Sequence, residues 1–244
     1  MIELPAMPAE QTASWIGLLD LYEQLDDGWT LVGGQLVHLH CAERGRFPIR
    51  PTNDVDTVID VRADPQMLAR FTEALTDLGF ESAGISAEGL QHRWVRDSAS
   101  IDVLLPDGIG ERASSRRGVT GSPTLPTAGG TQALQRTETV AVRVDGRDGF
   151  VRRPNLVGAL VGKAAALSNV GDAGRGRHRR DFAVLATLLT ARDFRNETVS
   201  KKDRQRLTAM VKAIRADRAA LLDVPNAEPA LDRLAIAADL KTGD

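Results

Sequence analysis

The sequence predicts an α/β (α+β) fold: a small mixed sheet with flanking helices, followed by a helical C-terminal part. Three observations lead there. Short runs rich in β-branched and other apolar residues recur at 29–32, 54–61 and 100–105, and such runs read as strands. Between them lie segments with apolar residues at three-to-four spacing, the mark of amphipathic helices. Beyond Pro154 almost every segment carries the helical period. Two parts are therefore expected, 1–152 and 153–244, with the second closing one side of a cleft.

Taken in order, residues 10–26 place Trp15, Ile16, Leu19, Tyr22 and Leu25 on one helical face, and Asp26-Asp27-Gly28 ends the helix. A short strand at 29–32 runs into Gly33-Gly34, after which 35–43 can start a helix. A polar loop, 44–53, leads to the strand at 54–61. Asp64-Pro65 opens a helix carrying Met67, Leu68, Phe71, Leu75 and Leu78, and Gly79 ends it. Short strands are expected at 80–83 and 91–96, with a stronger one at 100–105. Residues 106–136 are rich in Gly, Ser, Thr and Pro and read as a long surface loop. Alternation at 139–144, a turn at 145–149 and Phe150-Val151 form a hairpin.

In the second part, 155–168 is a helix carrying Lys163 among small apolar residues. A glycine-rich turn at 171–176 overlaps a basic cluster of Arg175, Arg177, His178, Arg179 and Arg180. Such a cluster is often a solvated face, and at the edge of a nucleotide site it can grip phosphate. Asp181 opens a helix through Phe182, Leu185, Leu188 and Leu189, where a simple helix-dipole role is the plain alternative. Ser200 caps the next helix, and 231–240 makes the last.

Composition narrows the function. The chain has 244 residues and is 42% hydrophobic, enough to bury a core. Its 31 basic and 33 acidic residues give a net charge of -2, so any contact with nucleic acid would rest on local basic patches. Cys41 is the one cysteine, which excludes an internal disulfide and a cysteine-based zinc site. That fits a reducing compartment, and the expected location is the cytoplasm. Met1-Ile2-Glu3-Leu4-Pro5 lacks the basic and apolar regions of an export signal, and no apolar run is long enough for a membrane span.

The chemistry concentrates in two places. After the strand at 29–32, Gly33 and Gly34 let the backbone approach a ligand closely, and the start of the following helix offers N–H groups and a positive dipole end to an anion. On a strand, residues two apart share a face, so Asp54 and Asp56 stand side by side at about 7 Å between Cα atoms. Two carboxylates that close repel unless a cation sits between them, and an oxygen-only set suits Mg²⁺. Singly, a Gly-Gly pair is more often a turn, and Asp-x-Asp is more often a solvated strand edge. The combination is less common than either part.

That combination, strand, Gly33-Gly34, helix, then Asp54-x-Asp56 on a strand, resembles the nucleotidyltransferase superfamily related to polymerase beta. Extended to Arg50-x-Thr52-x-Asp54-x-Asp56, with Lys163 on a later helix and Asp181 beyond a basic loop, it resembles the AbiEii/AbiGii-type nucleotidyltransferase toxins. The interval from Gly34 to Asp54 is longer than in compact superfamily members.

The resemblance implies a third metal ligand on a strand beside the Asp-x-Asp strand. Asp102, alone among Ile101, Val103, Leu104 and Leu105, is the best-placed residue; on its own it reads equally as an outward-facing edge carboxylate. Asp54, Asp56 and Asp102 would then hold two Mg²⁺ (or Mn²⁺) ions, and Gly33 and Gly34 would bind the β- and γ-phosphates of a nucleoside triphosphate. Arg50 and Thr52 would complete the nucleotide site. Lys163, with Arg50, would neutralise charge on the departing pyrophosphate. Asp181 would orient Lys163 or a nearby arginine, or position the acceptor. The resemblance also implies an RNA acceptor, such as a tRNA 3′ end, and a cognate antitoxin.

Other readings remain open in the sequence. An enzyme of this fold could instead nucleotidylate a small molecule such as an aminoglycoside, or a protein hydroxyl. A non-catalytic nucleotide-binding module is a further alternative, disfavoured by the joint presence of three carboxylates and the Gly-Gly pair. A metal-dependent phosphohydrolase would need a histidine-rich ligand set, and His38, His40, His92 and His178 do not form one.

Overall fold

The computed structural model describes residues 1–48, 50–167 and 174–240. Strand β1 (Ile2–Glu3) precedes helix α1 (Ala9–Gln24), which buries Trp15, Leu18, Leu19 and Leu21. Strand β2 (Trp29–Val32) feeds directly into α2 (Gly33–Glu43), and β3 (Val55–Ile59) follows the polar loop. Helix α3 (Met67–Asp77) lays Met67, Leu68, Phe71 and Leu75 on the core. Then come β4 (Glu81–Ser82), β5 (Arg93–Arg96) and β6 (Ala99–Pro106).

These strands form the larger sheet, in the order β2-β3-β6-β5-β4. Along this path β3–β6 is parallel and the other three pairs are antiparallel. A parallel pair needs a crossover, and α3 with the β4–β5 excursion supplies it. The mixed sheet with flanking helices agrees with the expected fold class.

The long loop expected over 106–136 is partly structured. It contains α4 (Glu111–Ser114), β7 (Pro126–Thr127) and α5 (Gly130–Gln135). Strand β7 joins the large sheet beside β6, with Leu105 N–H donating to Leu125 O at 2.8 Å and Thr124 Oγ1 to Val103 O at 2.5 Å. Backbone and hydroxyl bonds rather than large apolar side chains hold this segment, so its composition alone read as loop.

A second sheet joins β1 to the hairpin of β8 (Thr137–Val144) and β9 (Arg147–Pro154), with β1 parallel to β8. The hairpin is tighter than expected. Its loop is Asp145-Gly146 alone, both at positive φ, as a two-residue primed turn requires.

The helices that follow are α6 (Leu156–Ala166), α7 (Arg175–Thr187), α8 (Lys201–Arg215), α9 (Arg218–Asp223) and α10 (Ala227–Ala237). Ser200 and Asp203 close a capping box at the start of α8. Helix α7 departs from expectation: it starts at Arg175, so Asp181 lies in its interior rather than its first turn. Arginine is a good helix former, and the basic run is helix rather than loop. Of the glycine-rich turn expected at 171–176, residues 171–173 lie outside the described residues, as does Ser168 at the end of the helix expected at 155–168.

One cluster of buried apolar side chains runs from Trp15, Trp29 and Phe71 through Leu160 to Phe182, Leu207 and Leu231. The expected division at 152/153 falls inside β9. Among the described residues no helix is long and apolar enough to cross a membrane.

Candidate active site

Strand register assembles the site. Val32 on β2 pairs with Asp56 on β3, Asp56 with Asp102 on β6, and Asp102 with Arg93 on β5. These four residues form one row across four strands, and side chains in such a row leave the same face of the sheet. Asp54 lies two residues before Asp56, and Thr52 Oγ1 donates to its Oδ1 at 3.0 Å. One carboxylate oxygen from each of Asp54, Asp56 and Asp102 lies within 4.8 Å of the other two.

The glycine pair lies against this row. Gly33 has φ of +70°, a conformation glycine adopts without steric cost. Space matters as much as angle: a Cβ on Gly33 would coincide with the Asp56 carboxylate, and one on Gly34 would stand 2.8 Å from Thr52. Both glycines are the first residues of α2, where a turn was expected to precede the helix. Among the described residues no side chain caps this helix start, and its N–H groups and positive dipole end stand against Asp56.

A buried amide network fixes the strand approach at 50–52. Gln35 Nε2 donates to Thr52 O at 2.7 Å, while its Oε1 accepts from Trp15 Nε1 at 2.8 Å and Gln11 Nε2 at 2.9 Å. His38 Nε2 lies 2.8 Å from Arg50 O, and its Nδ1 lies 2.9 Å from Gln11 Nε2. A carbonyl only accepts, so His38 is the neutral Nε2–H tautomer, with Nδ1 accepting. Burial, the largest influence, keeps the ring's pKa below the ordinary value.

Arg50 reaches from this segment to α7. Its Nε donates to Asp181 Oδ1 at 3.0 Å and its Nη2 to Asp181 Oδ2 at 2.8 Å. Lys163 Nζ on α6 donates to Asp181 Oδ2 at 2.7 Å. Lys163 is 7% exposed and Asp181 3%. Burial works to raise the Asp181 pKa, yet Lys163 and Arg50 outweigh it and hold the carboxyl below its usual range. The α6–α7 pair thus presents a fixed cation beside the cleft.

At the acidic cluster the balance is reversed. Burial, then the charges of Asp54 and Asp102, push the Asp56 carboxyl up to about 7. A carboxylate crowded by two others is relieved by a cation, and three converging oxygen donors without nitrogen or sulfur suit a hard divalent ion. The residues present therefore fit a hard divalent cation.

Two cavities flank the carboxylates. One, of about 150 Å³, is lined by Gly33, Leu36, Asp56, Leu104, Gly162 and Lys163, among others. The other is an open groove of about 380 Å³ whose lining includes Arg50, Thr52, Asp54, Arg93, Ser100 and Arg177.

The residues named from the sequence for metal and nucleotide are divided between these two cavities and the contacts beside them. Asp56, Gly33 and Lys163 face the smaller cavity, Arg50, Thr52 and Asp54 the groove. Asp102 lies in the row behind them, Gly34 packs on Thr52, and Asp181 joins Lys163 to Arg50.

Two features were missed. Arg93 donates from Nε and Nη2 to both oxygens of Asp102 at 2.8 Å each and from Nη2 to Asp54 at 3.1 Å. The β5–β6 register that sets Arg93 opposite Asp102 carries the signal, and it is a pairing the linear chain does not print. The Gln11–Gln35–His38 network gave a weaker one, amides and imidazole on helix faces that are otherwise apolar. The basic run is also more engaged than a loop would be: Arg179 pairs with Asp217 at 2.7 Å and Arg180 with Asp223 at 2.6 Å.

Neither a family model nor a curated protein sequence matches the chain. Solved structures do resemble it. An antigenic nucleotidyltransferase-like protein from Paracoccidioides brasiliensis aligns at TM-score 0.52 and 16% identity, over 93% of this chain and 94% of that one. The antibiotic-resistance factor ANT(2'')-Ia aligns at TM-score 0.46 and 14% identity, over 88% of this chain and 96% of that one. The chain shares the fold of the nucleotidyltransferase-like protein along nearly its whole length.

Proposed function

We propose that the chain is a metal-dependent nucleotidyltransferase that moves a nucleoside monophosphate from a nucleoside triphosphate to an acceptor hydroxyl. The observation that carries this is the convergence of Asp54, Asp56 and Asp102 beside the uncapped glycine start of α2. An anion-receptive helix start and a cation-receptive carboxylate set side by side suit a triphosphate with its metal. The acceptor oxygen bonds to the α-phosphorus, the bond to the bridging oxygen breaks, pyrophosphate leaves, and the hydroxyl proton passes to solvent.

Asp54, Asp56 and Asp102 would hold Mg²⁺ or Mn²⁺, which supplies charge stabilisation to the phosphoryl oxygens and acidifies the attacking hydroxyl. Gly33 and Gly34 donate backbone N–H groups to the phosphates. Lys163 lines the smaller cavity beside Gly33 and Asp56, where its ammonium neutralises charge growing on pyrophosphate. Asp181 holds that ammonium in place and ties it to Arg50. Thr52 orients Asp54 through its hydroxyl. In this reading residues 1–152 carry the metal and phosphate groups, and 153–244 contribute Lys163, Asp181 and one wall of the cleft.

For the acceptor we favour RNA, such as a tRNA 3′ end, with the protein acting as a toxin paired to an antitoxin. The motif resemblance supports this, and the groove beside Asp54, lined by Arg50, Arg93 and Arg177, offers guanidinium donors of the kind that meet phosphate. Incubating the protein with each labelled nucleoside triphosphate, Mg²⁺ and either total cellular RNA or a protein extract tests it. Label in RNA is expected. Label confined to protein or to a small molecule would move the acceptor to another class.

A further inference from the structure

Arg93 lies on the open side of the carboxylate row, and its donors are spent on the oxygens a cation would use. Both oxygens of Asp102 accept from it at 2.8 Å, and Asp54 Oδ2 accepts at 3.1 Å, while Asp54 Oδ1 accepts from Thr52. A bidentate guanidinium–carboxylate pair is among the stronger polar contacts in proteins. A divalent cation on Asp54 and Asp102 would stand within a few ångström of a fixed positive charge, so both cannot hold those oxygens at full strength.

The side chain has somewhere to go. Asp102 is buried, whereas the Arg93 side chain is 44% exposed and borders the open groove. Arg50 and Arg177 line that same groove. A guanidinium released there adds its charge to that of Arg177, while Arg50 is already met by Asp181, so an anion in the groove would take up the freed donors.

We propose that Arg93 competes with the divalent cation for Asp54 and Asp102, so that cation binding is coupled to an anion, such as a phosphate group, which takes up the guanidinium in the groove. This rests on the nucleotidyltransferase reading and adds to it an ordering device: metal and phosphate strengthen each other's binding and are weaker apart. Linkage requires the effect to be reciprocal. A purely structural role makes the opposite prediction, since an arginine that merely orients Asp102 should weaken metal binding when removed.

Mn²⁺ binding to the full chain, followed by the paramagnetic resonance of the free ion, separates the two. Arg93→Gln should bind Mn²⁺ about tenfold more tightly than wild type, within the usual range of coupling between sites. Arg93→Lys, which keeps charge and loses the fork, should fall between. Sulfate should tighten Mn²⁺ binding to wild type and leave Arg93→Gln unchanged. Equal or weaker binding by Arg93→Gln, with wild-type binding still abolished by Asp56→Asn, would overturn the competition and leave the metal site standing. No Mn²⁺ binding by any of these proteins would overturn both.

Discussion

Lys163 Nζ on α6 and Asp181 Oδ2 on α7 meet at 2.7 Å, and both side chains are buried. The second face of that carboxylate is filled by Arg50, so one aspartate joins the strand approach to two helices of the C-terminal part. A lysine placed this way is both a cleft cation and a structural tie.

Lys163→Ala should therefore lose nucleotide transfer and also stability. Removing one partner of a buried pair costs about 3 kcal/mol, and the remaining Arg50 contact sets the loss at or below that figure. Thermal melts beside transfer rates check it; an unchanged melting temperature would show that the pair is not formed in solution.

The Asp181 pKa is depressed in the folded protein. Its ionised form therefore contributes stability that is fully present above the ordinary carboxylate value of 3.8 and lost as pH falls through the lower folded value. Asp181→Asn should be less stable than wild type from neutral pH down to about pH 4, with the gap closing only in stronger acid. Melts at a series of pH values read this directly.

Asp56 has the opposite sign. Its folded carboxyl is raised from 3.8 to about 7, so the folded chain binds the extra proton between those values and loses stability as pH rises across them. In the presence of a chelator, Asp56→Asn should melt higher than wild type above pH 7. The advantage should vanish near pH 4. A variant that melts lower at every pH would mean that Asp56 is held by contacts other than its charged neighbours.

These relations mark what was legible in the linear chain. Glycines followed by alternating carboxylates on a β-branched run expose local geometry, so Gly33, Gly34, Asp54 and Asp56 could be read from spacing. Asp102 needed the resemblance as well, since one acidic residue in an apolar strand fits two readings. Arg93 depends on β5–β6 register, which is a tertiary choice. The interior position of Asp181 was hidden because an arginine-rich run beside glycines looks like loop until the helix is seen to pass through it. Segment 106–136 was hidden for a related reason, since hydrogen bonds rather than apolar periodicity hold it to β6.

Gly33→Ala tests the close approach of α2 to the carboxylates. The added methyl would coincide with the Asp56 carboxylate, and the positive φ adds a strain of about 1 kcal/mol. Transfer and metal binding should both fall sharply with only a modest loss of stability. An active Gly33→Ala enzyme would show that Asp56 can move without consequence.

Gln35→Leu should act at a distance from the cleft. It removes the donor to Thr52 O and the acceptor for Trp15 and Gln11, leaving buried polar groups unsatisfied at about 1–3 kcal/mol each. Thr52 and Arg50 then lose their fixed path, so turnover should fall by more than the melting temperature alone explains. Full activity in the folded variant would make the network structural only.

The most direct measurement is pyrophosphate release with transfer of α-phosphate label from a nucleoside triphosphate, in Mg²⁺, by wild type beside Asp54→Asn and Asp56→Asn. Asparagine keeps size and an oxygen but removes the charge that holds the cation. Transfer by wild type and its loss in both folded variants is the predicted result. Transfer at the wild-type rate by either variant, or no transfer by wild type with any nucleotide and acceptor, would contradict a metal-dependent nucleotidyltransferase built on Asp54, Asp56 and Asp102.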